Sequence, residues 1–307
     1  MHRILGSMVA PRNVPIHPLT DYGPEMSAGQ QFFVGRFEHS ITSRPNRLRF
    51  HRHTYYEVFW INGRGSFLAD FREYPIAGPT LIFVSPGQVH RWNQKPRITG
   101  PMICFTQEFY DGKEPPPSSL LDHSFWFPFE TPPLVTIGEN QAAKFDPLWN
   151  EMEAEAAPSK ERDDIVRALL RLLFYKAARI YRSLYEEGGV ALAESEQSRI
   201  GRDFRLAVEK HFRTTTSVSD YAKYLHVTAD HLGAMIRGQT GRTPGDIIRE
   251  RLLLEAKRLL VYTSMNVSEI AYALNFEDPA YFSRFFRRLV DKAPGDFREA
   301  FSEKHQT

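Results

Sequence analysis

Three histidines and a glutamate form the group in this chain with the clearest potential for chemistry. His51, His53 and Glu57 lie two and four residues apart, so on one extended strand their side chains point to the same face. His90 follows a turn signal and can join them from a neighbouring strand. Three imidazoles and a carboxylate are suitable ligands for Zn, Ni, Mn or Fe.

The same side chains can instead hydrogen-bond an organic ligand. Tyr55, Phe59 and Trp92 lie close to the histidines in sequence, and aromatic walls with a few polar groups suit a small, flat, partly polar molecule. Apolar filling of a small barrel is the alternative role for these aromatics. We expect a ligand site without a resident metal or cofactor, made of His51, His53, Tyr55, Glu57, Phe59, His90 and Trp92.

The elements around this group read as β-strands. From residue 31 to about 106, short β-branched and aromatic runs alternate with turn signals, as in Tyr55–Ile61 before Asn62-Gly63. This pattern predicts an all-β barrel or sandwich. Cys104 is the chain's one cysteine, and its apolar neighbours predict a buried strand thiol. One unpaired cysteine suits a reducing cytoplasm.

Beyond about residue 140 the apolar period becomes helical. A helix is predicted from about Arg162 to Glu186, with an apolar face containing Ile165, Leu169, Leu172, Leu173, Ile180 and Leu184. We therefore expect an α+β chain divided into an N-terminal arm (1–30), a β sensor domain (31–135), a helical region (136–190), a linker (191–200) and an all-α domain (201–307).

The all-α part contains an internal repeat. Ser217-Val218-Ser219-Asp220-Tyr221-Ala222 returns as Asn266-Val267-Ser268-Glu269-Ile270-Ala271, and Pro244-Gly245-Asp246 returns as Pro294-Gly295-Asp296. Each copy predicts a capped helix, a tight turn near His226 or Asn275, and a second helix. We expect the second helices at about Thr228–Arg237 and Asp278–Leu289, separated by a helix from Pro244 to about Val261.

The two second helices present the candidate contacts to DNA. On the later one, Phe282, Phe285, Phe286 and Leu289 form the expected buried face, while Ala280, Ser283, Arg284 and Arg287 point outward. Residues 200–307 carry 17 Lys and Arg against 14 Asp and Glu. Because this balance is only weakly basic, contact with phosphates must depend on local clusters of arginine.

These repeats resemble the DNA-binding domain of the AraC/XylS family of bacterial transcription regulators. The resemblance rests on Val267–Phe301, including Tyr281-Phe282-Ser283-Arg284-Phe285-Phe286 and Pro294-Gly295-Asp296-Phe297-Arg298. It implies base contacts from Asp230, Gly233, Ala234, Arg237, Ala280, Ser283, Arg284 and Arg287. Neither Gly233 nor Ala234 can form bidentate hydrogen bonds with a base. Arg237 then serves to hold phosphate.

The histidine group carries a second resemblance. The spacing H-x-H-x3-E, followed by Gly87-Gln88-Val89-His90, is similar to the two cupin motifs, which implies a cupin-like β-barrel. Tyr55–Ile61 together with Pro86–His90 resembles the members of the regulator family that activate catabolism of hydroxylated aromatic acids. That resemblance implies an effector such as 4-hydroxybenzoate or 4-hydroxyphenylacetate, and a homodimer through the helix near Ile165–Leu184.

The sequence therefore favours a cytoplasmic, ligand-responsive regulator of transcription, more an activator than a repressor. Its expected partners are double-stranded DNA, a small-molecule effector, RNA polymerase and a second copy of the chain. No apolar run reaches the roughly 18 to 20 residues of a membrane helix. The competing hypotheses are a metal-dependent cupin enzyme and a metal sensor, each fused to the helix-turn-helix domain.

Overall fold

The structure, a computed structural model, describes residues 14–22, 31–43, 48–92, 97–113, 120, 123–127, 132–155, 161–185 and 196–304. The chain divides into two compact units. The first, called the sensor unit, lies within residues 15–189, and the second, called the helical unit, lies within residues 190–307 and also includes Val14. None of the helices in these ranges has the length and apolarity of a membrane span.

The described part of the sensor unit is dominated by short strands. They are β1 (Ile16–His17), β2 (Phe32–Arg36), β3 (Arg52–His53), β4 (Tyr56–Ala69), β5 (Arg72–Ala77), β6 (Thr80–Val84), β7 (His90–Trp92), β8 (Arg97–Thr99), β9 (Pro101–Phe105) and β10 (Leu134–Thr136). β1 pairs in parallel with β3, and the other pairings are antiparallel.

β4 belongs to two sheets at once. Its first half pairs with β6 and β9 in the row β10-β6-β4-β9-β2, and its second half pairs with β5, β7 and β8. The two ends of the row, β10 and β2, do not pair with each other in the described residues. The expected closed cupin barrel is therefore not found. One 14-residue strand passes from one sheet to the other instead.

Five described helices pack against these strands, four of them on one face and the helix that begins at Phe37 on the other. They are α1 (Phe37–Ser43), α2 (Gln107–Asp111), α3 (Glu139–Ala142), α4 (Asp146–Ala154) and α5 (Arg162–Tyr185). The helix predicted from Arg162 is confirmed within one residue of its expected end. Leu170, Phe174 and Tyr181 of α5 are fully buried against aromatic side chains of the sheet. Burial of this apolar face stabilises the helix on its own unit.

The centre of the predicted apolar face of α5 was wrong by about a quarter of a turn. The fully buried side contains Val166, Leu170, Leu173, Phe174, Ala177 and Tyr181. Of the predicted set, Leu173 lies on this side, and Leu169 and Ile180 are partly buried against the same core. Ile165, Leu172 and Leu184 are exposed. The sequence offers two adjoining apolar stripes on α5, and the stripe that contains Phe174 and Tyr181 fills the space above the sheet.

The helical unit is all-α where it is described. Its helices are α6 (Glu196–His211), α7 (Val218–Tyr224), α8 (Ala229–Thr240), α9 (Pro244–Tyr262), α10 (Val267–Ala273), α11 (Pro279–Val290) and α12 (Pro294–Lys304). The repeat predictions for α8, α9 and α11 are confirmed within three residues. The linker prediction of 191–200 was wrong for residues 196–200, which are the first turn of α6.

Side-chain caps fix where the helices of the repeat begin. Thr228 accepts the backbone N–H of His231 at the start of α8. At the start of α9, Thr243 and Asp246 form a reciprocal capping box, and Pro244 occupies the first turn, where no N–H is required. Asp278 accepts the N–H of Ala280 at the start of α11. Each cap satisfies backbone donors that a helix start leaves unpaired.

Candidate nucleic-acid interface and histidine cluster

The first helix-turn-helix consists of α7, a tight turn and α8. His226, in the predicted tight turn, has a φ of 55°, which lies in the left-handed region. Tyr221, Leu232 and Ile236 are buried and hold the two helices together. With these side chains inward, the opposite side of α8 faces solvent.

The outward side of α8 is small and carries little charge. Asp230, Ala234 and Arg237 are exposed, as their positions in the helix predicted. Gly233 lies among them, and a Cβ atom built on it would meet nothing within 4 Å. The structure therefore places the four predicted contact residues of the first unit on one accessible helix face.

The second helix-turn-helix consists of α10, a turn and α11. Asn275, in the second predicted turn, has a φ of 62°, which is also left-handed. Phe282, Phe285 and Phe286 form the buried face of α11. Leu289, which was expected beside them, is 38% exposed. It lies one turn beyond Phe285, near the C-terminal end of α11, and the prediction of its burial was wrong.

The outward side of α11 is strongly cationic. Ala280, Arg284 and Arg287 are exposed, together with Arg288. The Arg284 side chain is 69% exposed, and its guanidinium lies 3.8 Å from Asp278, a separation too long for a strong ion pair. Ser283 is half-buried and donates its hydroxyl to the Pro279 carbonyl at 3.0 Å. Of the four predicted residues, Ser283 is therefore the least available.

The connecting helix α9 carries a buried ion cluster that the sequence reading missed. Arg251, Glu255 and Arg258 are all under 8% exposed. Burial acts to raise the pKa of Glu255. The guanidinium groups of Arg258, Arg251 and Arg213 outweigh this effect and lower that pKa to about 2. The signal was present as charges at positions i, i+4 and i+7, which lie on one face of the helix.

This cluster joins α9 to α6. Arg251 donates to Glu209 of α6 at 2.8 Å, and its guanidinium lies 3.8 Å from the ring centre of Phe212. Arg213, just after α6, donates to Glu255. A buried carboxylate in this setting is compensated by several cations, and removing it leaves them unbalanced.

The second helix-turn-helix is held to α9 by a different contact. Arg298 of α12 donates to the backbone carbonyl of Leu260 at 2.7 Å and to that of Met265 at 2.5 Å. These carbonyls lie at and just after the C-terminal end of α9, where helix carbonyls lack partners within the helix.

The histidine cluster of the sensor unit forms at the junction of three strands. His51 and His53 lie on or beside β3, Glu57 lies on β4, and a bend at Thr54 and Tyr55 separates them. The expectation that all three share one strand was therefore wrong. His90, on β7, bridges to His51 through two backbone hydrogen bonds of 2.9 and 3.0 Å, so its predicted place on a neighbouring strand is confirmed.

Each imidazole is oriented by a backbone carbonyl two residues away. Nδ1 of His51 bonds to Arg49, Nδ1 of His53 to Tyr55, and Nδ1 of His90 to Gln88, at 2.8, 3.1 and 3.2 Å. Because a carbonyl only accepts, each Nδ1 carries the proton. The other ring nitrogen, Nε2, is the one left to bind a ligand.

The ligand atoms of the cluster converge on one buried point. One nitrogen from each of His51, His53 and His90 lies within 4.8 Å of the others. Nε2 of His53 lies 2.7 Å and Nε2 of His90 3.7 Å from Oε2 of Glu57. Burial, with His90 and His53 alongside, lowers the pKa of His51 well below its usual value, which keeps that ring neutral.

The cluster fits a divalent transition metal in ligand type and orientation. Neutral imidazoles with Nδ1 bound to a carbonyl are the usual metal ligands, and three of them with a carboxylate suit Zn or a similar ion. Nitrogens bound at about 2.1 Å to a tetrahedral ion lie about 3.4 Å apart. The cluster would therefore contract around an ion.

The predicted aromatic residues lie beside the histidines and are equally buried. Tyr55 stacks on His53 with ring centres 4.3 Å apart, and Phe59 packs edge-on to Trp92 at 5.0 Å. Tyr55 is 1% exposed, and Phe59 and Trp92 are each 2% exposed. Of the predicted aromatic residues, Tyr55 thus contacts the histidines directly, whereas Trp92 is connected to His90 through Phe67, whose ring lies beside both. Cys104, predicted as a buried strand thiol and confirmed as such, donates to Glu57 at 3.3 Å.

Comparison with known proteins defines the class of the helical unit. Residues 221–300 match the protein-family model described as "Helix-turn-helix domain". The matched residues include both turn-linked helix pairs, on which α8 and α11 are exposed, so the match identifies this part of the helical unit as a helix-turn-helix domain.

Two relatives that match most of the chain are named as transcription regulators. It is 20% identical over 292 residues to the uncharacterized HTH-type transcriptional regulator YfiF of Bacillus subtilis, covering 94% of this chain and 90% of the relative. It is 24% identical over 264 residues to the HTH-type transcriptional activator RhaS of Escherichia coli, covering 81% and 87%. Both matches extend along most of the chain, and both relatives are named as regulators of transcription rather than as enzymes.

Among solved structures, the chain is similar to ToxT from Vibrio cholerae O395. The TM-score is 0.39 with 15% sequence identity, and the similarity covers 89% of this chain and 97% of ToxT.

Proposed function

We propose that this protein is a ligand-responsive transcription regulator that binds two neighbouring major-groove segments of DNA. The observation that carries the proposal is the pair of helix-turn-helix units with α8 and α11 exposed. The 19-residue helix α9 between them is about 28 Å long at 1.5 Å per residue. That length is close to the roughly 34 Å between successive major-groove segments on one face of DNA.

The outward residues of the two helices would make different contributions. On α11, Arg284 and Arg287 can donate in pairs to guanine or to phosphate, and Ala280 and Ser283 lie beside them. On α8, Asp230 and Ala234 carry no donor, and Arg237 serves to hold phosphate.

Selection of preferred sequences from random DNA duplexes with the full chain tests DNA recognition. We expect two conserved segments about one helical turn apart, protected on the same face of the duplex. Affinity for the selected site should exceed affinity for random DNA by about a thousandfold or more at a fixed salt concentration. Equal affinity for both DNAs would overturn the proposal.

The sensor unit would hold the effector at the cluster of His51, His53, Tyr55, Glu57, Phe59, His90 and Trp92. Support comes from the meeting of polar and aromatic groups in a buried interior, as in small-molecule sites. The candidate effector is a hydroxylated aromatic acid, and its entry requires the packed cluster to open. Ligand binding would then favour one state of the DNA-bound protein.

A thermal-shift panel including 4-hydroxybenzoate and 4-hydroxyphenylacetate tests the effector. A ligand bound only by the native protein raises its melting temperature. His53→Ala should abolish that shift and the ligand response while leaving non-specific DNA affinity intact, and the exposed His39→Ala serves as control. A ligand shift that survives His53→Ala would place the effector elsewhere.

Assembly and activation belong to the same proposal. Ile165, Leu172 and Leu184 of α5 are 39%, 45% and 56% exposed, and a second copy of the helix can cover them. A homodimer would gain DNA affinity by tethering. The relative RhaS is named an activator, which favours activation through contact with RNA polymerase. Leu172→Glu should convert a dimer to a monomer in light scattering, whereas a wild-type monomer would remove dimerisation from the proposal.

A second candidate is a metal-responsive regulator, and one observation favours it. The three Nδ1–carbonyl bonds fix the orientation of the imidazoles, and one nitrogen from each ring lies within 4.8 Å of the others beside Glu57. Protein purified without a metal-affinity tag should then contain stoichiometric metal by elemental analysis, and chelation should change its affinity for the selected DNA. Metal-free protein with full DNA affinity, unchanged by added Zn, Ni, Mn or Fe, would eliminate this candidate.

A further inference from the structure

The outward face of α8 is built to approach a surface closely without donating hydrogen bonds to it. Ala229 and Ala234 are exposed and end in a methyl group. Gly233 lies between them with no atom within 4 Å of where a Cβ would be. Arg237, the cation on this face, comes only in the last turn. Apart from the carboxylate of Asp230, the first two turns of this face thus offer methyl groups and bare backbone.

The charge on this face opposes contact with phosphate at the N-terminal end of α8. Asp230 lies in the first turn and is exposed, so it repels the DNA backbone. A carboxylate can, however, accept from the amino group of cytosine, and an alanine methyl can pack on the 5-methyl group of thymine. Both are base edges of the major groove. The chemistry of the face therefore favours pyrimidine edges over phosphates.

We infer that the first helix-turn-helix reads thymine through its 5-methyl group, packed against Ala234, with the open space at Gly233 allowing α8 to lie close to the bases. This inference rests on the proposed DNA-binding function. It assigns hydrogen-bonding readout to Arg284 and Arg287 of α11. The two DNA segments are thus recognised by different chemistry, apolar in the first and cationic in the second.

Replacing thymine by deoxyuridine in the selected DNA tests the inference, because it removes the methyl group and no hydrogen-bonding atom. At one or two positions of the segment bound by α8, the replacement should weaken binding about fourfold per methyl group, the value of one buried methyl-sized group. Replacements in the segment bound by α11 provide the matched control and should have little effect. Full affinity with every α8-segment thymine replaced would overturn the inference.

The partner residue is identified by combining the base change with Ala234→Gly. If Ala234 contacts the methyl group, the variant should bind thymine and deoxyuridine DNA equally, so the fourfold ratio falls to about one. A ratio unchanged by Ala234→Gly would reject Ala234 as the contact. Lower helix stability in the variant affects both DNAs alike, so it does not alter the ratio.

Gly233→Ala should stabilise the free protein but weaken its binding to DNA. Because its Cβ meets no atom in the free protein, alanine should raise the melting temperature by a few degrees through its better helix propensity. The added methyl group should nevertheless weaken binding to the selected DNA about tenfold, as a mismatched base pair does. A variant that is more stable and binds DNA as tightly as wild type would show that α8 does not approach the bases closely.

The outcomes also separate this inference from the function on which it rests. If the chain prefers no DNA sequence, the proposed function fails. If the chain selects a site through α11 but ignores thymine methyl groups in the other segment, only the present inference fails.

Discussion

The two helix-turn-helix units share one backbone design and satisfy its requirements with different side chains. Both place a non-glycine residue in the left-handed region at the turn, His226 at φ 55° and Asn275 at φ 62°. Asn275 also donates its side-chain amide to the Thr214 carbonyl at 3.2 Å. Asparagine tolerates this conformation better than histidine, so the second turn is the better adapted of the two.

The first helix of the second unit is also better capped than the first helix of the first unit. At α10, Asn266 and Glu269 form a reciprocal capping box, with bonds of 2.9 and 2.7 Å. At α7, the Ser217 side chain makes no capping hydrogen bond to the helix backbone. The carboxylate of Asp220 instead accepts hydrogen bonds from Lys223 and Thr215. These bonds, that of Lys223 most strongly, lower the pKa of Asp220. The capping box predicted for both units is confirmed only in the second.

The two units also differ in how they are attached to α9, and here the first unit has the more deeply buried contact. The first unit is anchored through α6 by the buried charges of Arg251 and Glu255, and the second by Arg298 on two backbone carbonyls. The comparison teaches that the repeat conserves a set of backbone requirements rather than a set of contacts. Each copy can therefore be weakened by a different substitution.

The largest effect should come from the buried carboxylate of α9. Glu255→Gln should cost about 3 kcal/mol of unfolding free energy, because it leaves buried guanidinium groups uncompensated. Since the folded pKa of Glu255 is about 2, below its unfolded value, its contribution is present above about pH 4.5 and is lost as the pH falls towards 2. Urea unfolding at several pH values measures this.

Glu250→Gln is the matched control for Glu255. Glu250 also lies on α9 and pairs with Arg242, but its side chain is 46% exposed, so we expect a loss under about 1 kcal/mol. Equal losses for the two variants would mean that the buried cluster does not anchor the first unit.

The next largest effect concerns the outward faces of α8 and α11. Arg284→Ala should weaken binding to the selected DNA by about 2 kcal/mol and relax the preference at one base pair. Arg237→Ala, on α8, should weaken binding to selected and random DNA alike and reduce the salt dependence. Fluorescence anisotropy at two salt concentrations distinguishes them. If both substitutions changed DNA affinity and its salt dependence in the same way, the proposed difference between α8 and α11 would be wrong.

The caps should give a smaller difference in stability. Asn266→Ala should cost about 1 kcal/mol by removing the capping bond to the Glu269 N–H. Ser217→Ala should change stability by less than about 0.5 kcal/mol, because no such bond is lost. Denaturant midpoints measured at pH 7 provide the comparison, and a larger cost for Ser217→Ala would contradict it.

The smallest effect should come from the turns. His226→Asn should stabilise the protein by about 0.5 kcal/mol, because asparagine adopts positive φ with less strain. The reverse exchange, Asn275→His, should destabilise it by about 1 kcal/mol, since the bond to Thr214 is also lost. Stabilisation by both exchanges would show that the turn conformation does not discriminate between the two residues.

Local signals made the helical unit largely predictable. Caps, prolines at helix starts and apolar periodicity are encoded within a few residues, so α8, α9, α11 and both turns could be placed. The Arg251–Glu255 cluster was missed because its partners, Glu209 and Phe212, lie about 40 positions away in sequence. Leu289 was misplaced because periodicity alone does not say where a helix face leaves the core.

The sensor unit depended more on contacts between distant segments. The meeting of His51, His53, Glu57 and His90 was predictable from side-chain parity and turn signals, although the bend at Thr54 was not. Closure of a sheet depends on which edge strands meet, and no local pattern encodes that. On α5 the choice between two apolar stripes depended on the shape of the sheet beneath it.

The strand β4 has a consequence for how the sensor unit opens. It is hydrogen-bonded to five other strands, β5 to β9, and is common to both antiparallel sheets. Neither sheet can separate as an independent subdomain, so the unit should come apart cooperatively. Backbone amides in the middle of β4 should then exchange with deuterium only through global opening and report the full free energy of that unit.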